Sequence, residues 1–169
     1  MDKSKEREAD SEGMEIIYNN LMIEYSIITS PEDIDVLHGK TAQYRSLNIQ
    51  YDNETIQYLK DHLLDENSLY LIAKENDVFG GFCSIDPDWW EKGFLFLREI
   101  YVEPRLHQQG IGSELMQRCI AHAQHCKAKG VVTETAFDNV PMQKLCKKFG
   151  FEEWENPEWK EGITYKLLF

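Results

Sequence analysis

Positive charge is scarce in this chain: 18 Lys and Arg stand against 30 Asp and Glu in 169 residues, a formal net charge of −12. Nucleic-acid backbones are bound by clustered Lys and Arg, so basic residues dispersed among so many acids argue against a nucleic-acid partner. Long apolar runs are lacking too. No stretch approaches the roughly 18 residues that cross a bilayer, and the opening M-D-K-S-K-E-R-E holds no signal-peptide core. No membrane partner is therefore expected, and the cytoplasm is the expected location. The four cysteines include no C-x-x-C pair, which fits reduced thiols better than a disulfide framework.

What remains is the composition of a folded globule, 42% hydrophobic and 12% aromatic, with a mean hydropathy of −0.52 that points to a well-charged surface. A chain of this length buries about two thirds of its unfolded surface around one core. Residues 1–13 carry eight charged side chains and almost nothing apolar, and read as a disordered leader. Residues 14–169 read as a single domain. The excess of acid can steer a cationic substrate toward the protein, and serves solubility equally well.

The most informative segment lies in the middle. The run F-L-F-L-R-E-I-Y-V, Phe94 to Val102, reads as a strand that Pro104 stops, since proline cannot donate to a ladder. It is followed by His107-Gln108-Gln109-Gly110-Ile111-Gly112-Ser113 and then by Ile111, Leu115, Met116, Cys119, Ile120 and Ala123 at helical spacing. The spacing predicts a helix from about Gly110 to Ala128, closed by Gly130. The first N–H groups of such a helix have no intrahelical partner and sit at the positive end of its dipole, so a diphosphate can dock there. Gly110 and Gly112 let the ligand approach the backbone, or else merely permit close packing of helix on strand. A Rossmann dinucleotide site is a poor fit, because its third glycine would fall at Leu115 and seven residues separate Val102 from Gly110.

Beyond this helix, V-V-T-E-T-A-F from Val131 reads as a strand, Asp138-Asn139 as a turn or N-cap, and Pro141 as the first turn of a helix from Met142 to Phe149 that Gly150 ends. Here the chain resembles the GNAT superfamily of N-acetyltransferases. The family's pyrophosphate loop, Arg or Gln-x-x-Gly-x-Gly or Ala, is matched by His107-Gln108-Gln109-Gly110-Ile111-Gly112. Its second signature, an Asn with an aromatic seven residues on and then Gly-Phe, is matched by Asn139 and Gly150-Phe151. The resemblance covers Phe94 to Phe169.

It implies an α/β GNAT fold, a mixed twisted sheet of about seven strands with about four helices, splayed where the central strand passes Val102. It implies acetyl-CoA as cosubstrate, held by Gln108, Gln109, Gly110, Ile111, Gly112 and Ser113 at its phosphates, by the backbone of Ile100, Tyr101 and Val102 along its pantetheine, and by Asn139. The acceptor would be a primary amine of a small molecule or peptide, attacking directly. A non-catalytic acyl-CoA-binding module of the same fold is the alternative. His107 departs from the family's Arg or Gln, and Cys146 replaces the tyrosine that many members use to protonate the CoA thiolate. Cys146 is either that proton donor or a buried helix residue.

Two strand carboxylates compete for the role of base, Glu134 and Glu99. Apolar neighbours should raise the pKa of either, unless it simply pairs with Arg98 or a lysine; Glu134 is preferred. Cys119, His122, His125 and Cys126 crowd one helix, but without a paired C-x-x-C no metal site is expected. Cys119 should join the apolar stripe and the two histidines should face solvent.

In the amino-terminal half, I-I-Y and L-M-I-E-Y-S-I-I are apolar clusters, the second being the first sheet strand. Ser30-Pro31 starts a helix expected to reach Leu47, and a second begins near Asn53. Tyr44, Tyr51 and Tyr58 are candidates for shaping the acceptor site. Leu69 to Lys74 and Val78 to Ile85 form a hairpin across Asn76-Asp77. Of the adjacent Trp89 and Trp90 one should be core, and the other should line the acceptor pocket or a contact in a homodimer.

Overall fold

The structure is a computed structural model and describes residues 22–40 and 50–169. The expected leader, the I-I-Y cluster and Tyr44 lie outside the described residues. Strands β1 (Ile23–Ile27), β2 (Leu69–Glu75), β3 (Val78–Asp86), β4 (Phe94–Val102), β5 (Gly130–Ala136), β6 (Glu152–Trp154) and β7 (Gly162–Leu168) form one sheet in the order β1-β2-β3-β4-β5-β7-β6. Among the described residues only β4 and β5 pair in parallel, and a parallel pair needs a long crossover, usually a helix. That helix is α2 (Ile111–His125), preceded by α1 (Asn53–Leu63) and followed by α3 (Val140–Lys148). Among the described residues a seven-residue 3-10 helix, Pro31–Leu37, makes a fourth helix, and a single 3-10 turn, Pro104–Leu106, precedes α2. The seven-stranded mixed sheet with four helices is the fold expected from the resemblance.

Most boundaries follow from local chemistry. Asn76 and Asp77 both take positive φ, 48° and 65°, the two left-handed residues that a tight hairpin turn demands. Asp52 caps α1 by accepting from the Thr55 amide at 2.9 Å. Gly150 (φ 84°) ends α3, with Phe151 N–H bonded to the Cys146 carbonyl and Gly150 N–H to that of Lys147, the paired closure of a Schellman motif.

Three boundaries differ from expectation. The Pro31 helix stops at Leu37 rather than Leu47, because its buried residues Ile34 and Leu37 are three apart, which suits a 3-10 turn, and Gly39 (φ 78°) redirects the chain. Helix α2 ends at His125, and Lys127 (φ 56°) takes the left-handed position assigned to Gly130. Gly130 instead opens β5, where a Cβ would lie 2.1 Å from the Leu167 carbonyl oxygen, so its bareness serves the β5–β7 contact. The helix expected from Met142 begins two residues earlier, at Val140, with Asn139 as its cap.

Helices α2 and α3 cover one face of the sheet and enclose the main core, Leu71, Cys83, Leu97, Ile111, Leu115 and Met116 among its members. The other face carries two smaller clusters. One sits beneath α1 and the 3-10 helix, around Tyr51, Leu59, Tyr70, Phe82 and Tyr101, and the other is built from Trp89, Phe94 and Val132.

A bulge decides what β4 presents to each face. Ser84 of β3 pairs with Glu99 and the next residue, Ile85, with Leu97, so Arg98 is an extra residue in β4. Leu95 and Leu97 therefore face the main core, and beyond the bulge Ile100 and Val102 do so as well. Tyr101 moves to the α1 face with its partner Phe82. Glu99, one residue from each of Ile100 and Arg98, shares that α1 face, where strict alternation from Leu97 would have put it in the core. Pairing of β4 with β5 runs only from Phe94–Gly130 to Leu97–Thr133. The sheet thus parts at Leu97 rather than at Val102, and the Thr133 hydroxyl donates to the last paired carbonyl, Leu97, at 2.9 Å.

Candidate active site

The edge of β4 from Arg98 to Val102 faces β5 without a ladder, so its backbone groups on that side are open to a ligand. Ile100, Tyr101 and Val102 lie on this edge. At its end the chain passes Pro104–Leu106, turns through Gln108 (φ 61°) and Gly110 (φ 83°), and enters α2. No side chain caps this helix, and its first internal bond is from Glu114 N–H to the Gly110 carbonyl. The amides of Ile111, Gly112 and Ser113 sit in the uncapped first turn, at the positive end of the dipole.

Packing does not explain the two glycines. A Cβ on Gly110 would meet nothing within 4 Å, and one on Gly112 would touch only Leu145 and Val102 side-chain carbons at 3.8 and 3.9 Å. Gly110 is fixed by its left-handed φ, whereas nothing in the protein requires glycine at 112. Bare backbone at 112 leaves the amides of the first turn accessible to an anion. His107, at the family's Arg or Gln position, turns back instead and places Nε2 2.9 Å from the Val102 carbonyl. Asn139 accepts from the Met142 amide as the α3 cap, at 3.3 Å.

Where β4 and β5 part on the α1 face, a cleft of about 570 Å³ opens, lined by Phe96, Arg98 and Glu99 of β4, Glu134 of β5, Glu54 and Tyr58 of α1, and Trp159. Both competing carboxylates thus reach one space. Burial pushes Glu99 up to about 7, opposed by the Tyr51 hydroxyl, which donates to it at 2.6 Å, and by Arg98. Glu134 is also raised, again by burial, against a hydrogen bond from Asn156 Nδ2 at 3.0 Å and the charge of Arg98.

Arg98 pairs with neither. Its guanidinium forks onto buried Asp86, Nε to Oδ2 at 2.7 Å and Nη2 to Oδ1 at 2.6 Å, while Nη1 donates to the Tyr58 hydroxyl at 2.6 Å. Burial alone would lower its pKa, yet the Asp86 carboxylate holds it above the ordinary value. Beyond Tyr58, His62 Nε2 lies 2.7 Å from Asp88, whose carboxyl it holds below the usual range. This chain of contacts fixes α1 against β4, and with it one wall of the cleft.

Cys146 is not brought to the cleft. Its side chain is fully buried in the main core, and burial drives the thiol up to about 12. His122 is half-buried, its Nε2 2.8 Å from the Asn67 carbonyl, His125 is exposed, and Cys119 is buried 3.4 Å from Cys83, sulfur to sulfur. Trp89 is core and Trp90 is exposed, stacked toward Trp154 rather than lining the cleft. Of the three tyrosines, Tyr58 lines the cleft, whereas Tyr51 is buried in the cluster beneath α1 and reaches Glu99 through its hydroxyl. Asp86, Asn156 and Trp159 carry no local signal, because each acts through partners far along the chain.

The model of the acetyltransferase (GNAT) family matches residues 35–151, which include the loop into α2 and the lining of the cleft apart from Trp159. The N-acetyltransferase YhfO of Bacillus subtilis, itself uncharacterised, is 29% identical over 99 residues, 57% of this chain and 66% of that protein, just under two thirds of its length. An acetyltransferase of the GNAT family from Staphylococcus aureus superposes with a TM-score of 0.70 at 13% identity, covering 86% of this chain and 98% of that one. The PaiA N-acetyltransferase of Thermoplasma acidophilum in complex with coenzyme A gives 0.67 at 14% identity, with 88% and 100% covered. At such identities these structures share the fold. No helix among the described residues is long and apolar enough to cross a membrane. With more than half its length under the family model and the split sheet, bare helix start and cleft in place, the chain belongs to the GNAT family of acetyltransferases.

Proposed function

We propose that the chain acetylates the primary amine of a cationic small molecule or peptide by direct attack of the amine on acetyl-CoA. The observation that carries this reading is the meeting of Glu99 and Glu134 in one cleft at the point where β4 leaves β5. Gln108 to Ser113 would hold the phosphates, the open backbone of Ile100, Tyr101 and Val102 the pantetheine, and Asn139 would set the neighbouring loop. The carboxylates of Glu54, Glu99 and Glu134 outweigh Arg98, whose charge is already met by Asp86, so the cleft favours a cation.

In this scheme Glu99, poised near 7, takes a proton from the acceptor ammonium, directly or through water, and Glu134 holds the ammonium in place. The freed amine attacks the thioester carbonyl, and an N–H of the open β4 edge stabilises the oxyanion. As the C–S bond breaks, nitrogen gives up its second proton to solvent water and the CoA thiolate takes a proton from solvent. A thiol near 12, sealed in the core, is a poor acid toward a thiolate, so Cys146 is assigned to packing.

Steady-state rates over a panel of di- and polyamines, aminoglycosides and short peptides, read as free thiol release, test the proposal. Intersecting double-reciprocal lines and a preference for cationic amines are expected. Ping-pong kinetics would overturn direct attack, and tight acetyl-CoA binding with no release on any amine would return the chain to the binding-module alternative. Cys146→Ala should keep turnover within about twofold and cost about 1–2 kcal/mol of stability as a small core truncation. A large loss of turnover at unchanged CoA affinity would put the thiol back into the chemistry.

A further inference from the structure

Three polar side chains form a row across the α1 face of the sheet. Tyr70 of β2 stands opposite Ser84 of β3, and Ser84 stands opposite Glu99 of β4. Cys83 and Ile85 point into the main core, so Ser84 between them points to the face that Tyr70 and Glu99 share. Directly opposed residues of neighbouring antiparallel strands lie about 5 Å apart at Cβ. Tyr70 and Ser84 are wholly buried, and among the described residues neither Tyr70 Oη nor Ser84 Oγ has a hydrogen-bond partner. Burial and the charge of Asp86 push the Tyr70 phenol above its ordinary value, and Glu99 is close enough to add to that rise. Buried hydroxyls almost always find a partner. Two bare ones in line with a carboxyl mark a small polar site rather than two separate defects.

We propose that Tyr70 and Ser84 are positioning residues that hold one enclosed water against the Glu99 carboxyl. The inference rests on the reading of Glu99 as the base and supplies what a buried base needs. A water with three polar partners is well held inside a protein. It donates to the carboxylate when Glu99 is ionised and accepts the proton of the carboxyl when it is not. Each hydroxyl can likewise donate or accept, so the row turns its hydrogen bonds round as Glu99 cycles and leaves neither state unpaired. A lysine in place of Ser84 would lock the carboxyl in its ionised form, and an alanine would leave burial unopposed on that side.

A high-resolution crystal structure of the unaltered chain, with ¹³C NMR titration of the Glu99 carboxyl and pH profiles of kcat in Ser84→Ala and Tyr70→Phe, tests this. Glu54 and Tyr58 of α1 and Glu134 of β5 face Glu99 across the cleft, Arg98 lies beside it with Asp86 of β3 as counter-ion, and Tyr51 bonds it directly. Both variants leave all of these in place, so a shift belongs to the row. A water is expected within hydrogen-bond distance of Tyr70 Oη and Ser84 Oγ. In each variant the titration of Glu99 should move up by about half a pH unit to one unit, the worth of one hydrogen bond to the ionised form, and the acid limb of kcat should move with it. Tyr70→Phe would stabilise the fold if its hydroxyl were merely bare; it should instead lower the melting temperature. No water at that place, an unmoved Glu99 titration in both variants, or a melting temperature raised by Tyr70→Phe overturns the proposal. A titration that moves while the limb of kcat stays upholds the water site and overturns Glu99 as the base, so the two failures are distinguishable.

Discussion

Gly110→Asp is expected to abolish measurable CoA binding while the chain stays folded. Space is not the obstacle, because a Cβ at this position meets nothing within 4 Å. The left-handed φ of 83° costs an ordinary side chain about 1–2 kcal/mol, a strain that Asp and Asn tolerate best and that a domain of typical stability survives. Charge is the obstacle. A carboxylate about 4 Å from a phosphate oxygen at an effective dielectric of about 20 opposes it by about 4 kcal/mol, roughly a thousandfold in affinity. Gly110→Asn carries the same strain without the charge, so it should lose far less. Calorimetry with CoA and a thermal melt of each variant decide the matter. Equal affinities in the Asp and Asn variants would remove the phosphate from this loop.

The loop that leads into α2 was open to sequence reading because its cause is local: a strand stopped by proline, a glycine that must be left-handed, and a helix whose apolar residues begin at once. The same holds for the Asn139 cap and the Gly150 stop, whose partners lie within seven residues. What escaped depends on distant partners. The bulge at Arg98 is visible only in the register of β3 against β4, and it alone places Glu99 on the α1 face. Pairing with Arg98 was the alternative to a base role for either carboxylate, but its partner Asp86 comes from the neighbouring strand across that bulge. Gly130 read as a helix stop because glycine usually is one, whereas here the constraint is a carbonyl of β7 that only the folded sheet brings near. The burial of Cys146 was within reach. Met142, Leu145, Cys146 and Phe149 form an i, i+3, i+4, i+7 stripe on α3 that packs on the main core.

Glu99→Gln should cut turnover by about 10²–10⁴-fold, the usual worth of a positioned base, while leaving CoA affinity intact and making the protein more stable above neutral pH. The stability sign follows from the raised pKa. A carboxyl near 7 in the fold, against an ordinary value of 4.5, is protonated on both sides of the folding equilibrium at low pH and costs nothing there. From about 4.5 to 7 the unfolded chain ionises first, so the fold loses stability as pH rises, by about 3 kcal/mol at most, and carries that cost above 7. Glutamine keeps an oxygen to accept the Tyr51 hydroxyl and carries no charge to bury, so its melting temperature should exceed that of the unaltered chain at pH 8 and match it at pH 4. A loss of activity joined to a gain of stability leaves misfolding no part in the result. Tyr51→Phe supplies the complementary test. Removing the hydroxyl takes away the hydrogen bond that favours the carboxylate, so the acid limb of kcat, which rises as Glu99 ionises, should move to higher pH. If that limb stays in place in Tyr51→Phe and Glu99→Gln retains full turnover, the base is Glu134, and the same pH series on Glu134→Gln would carry the displaced limb.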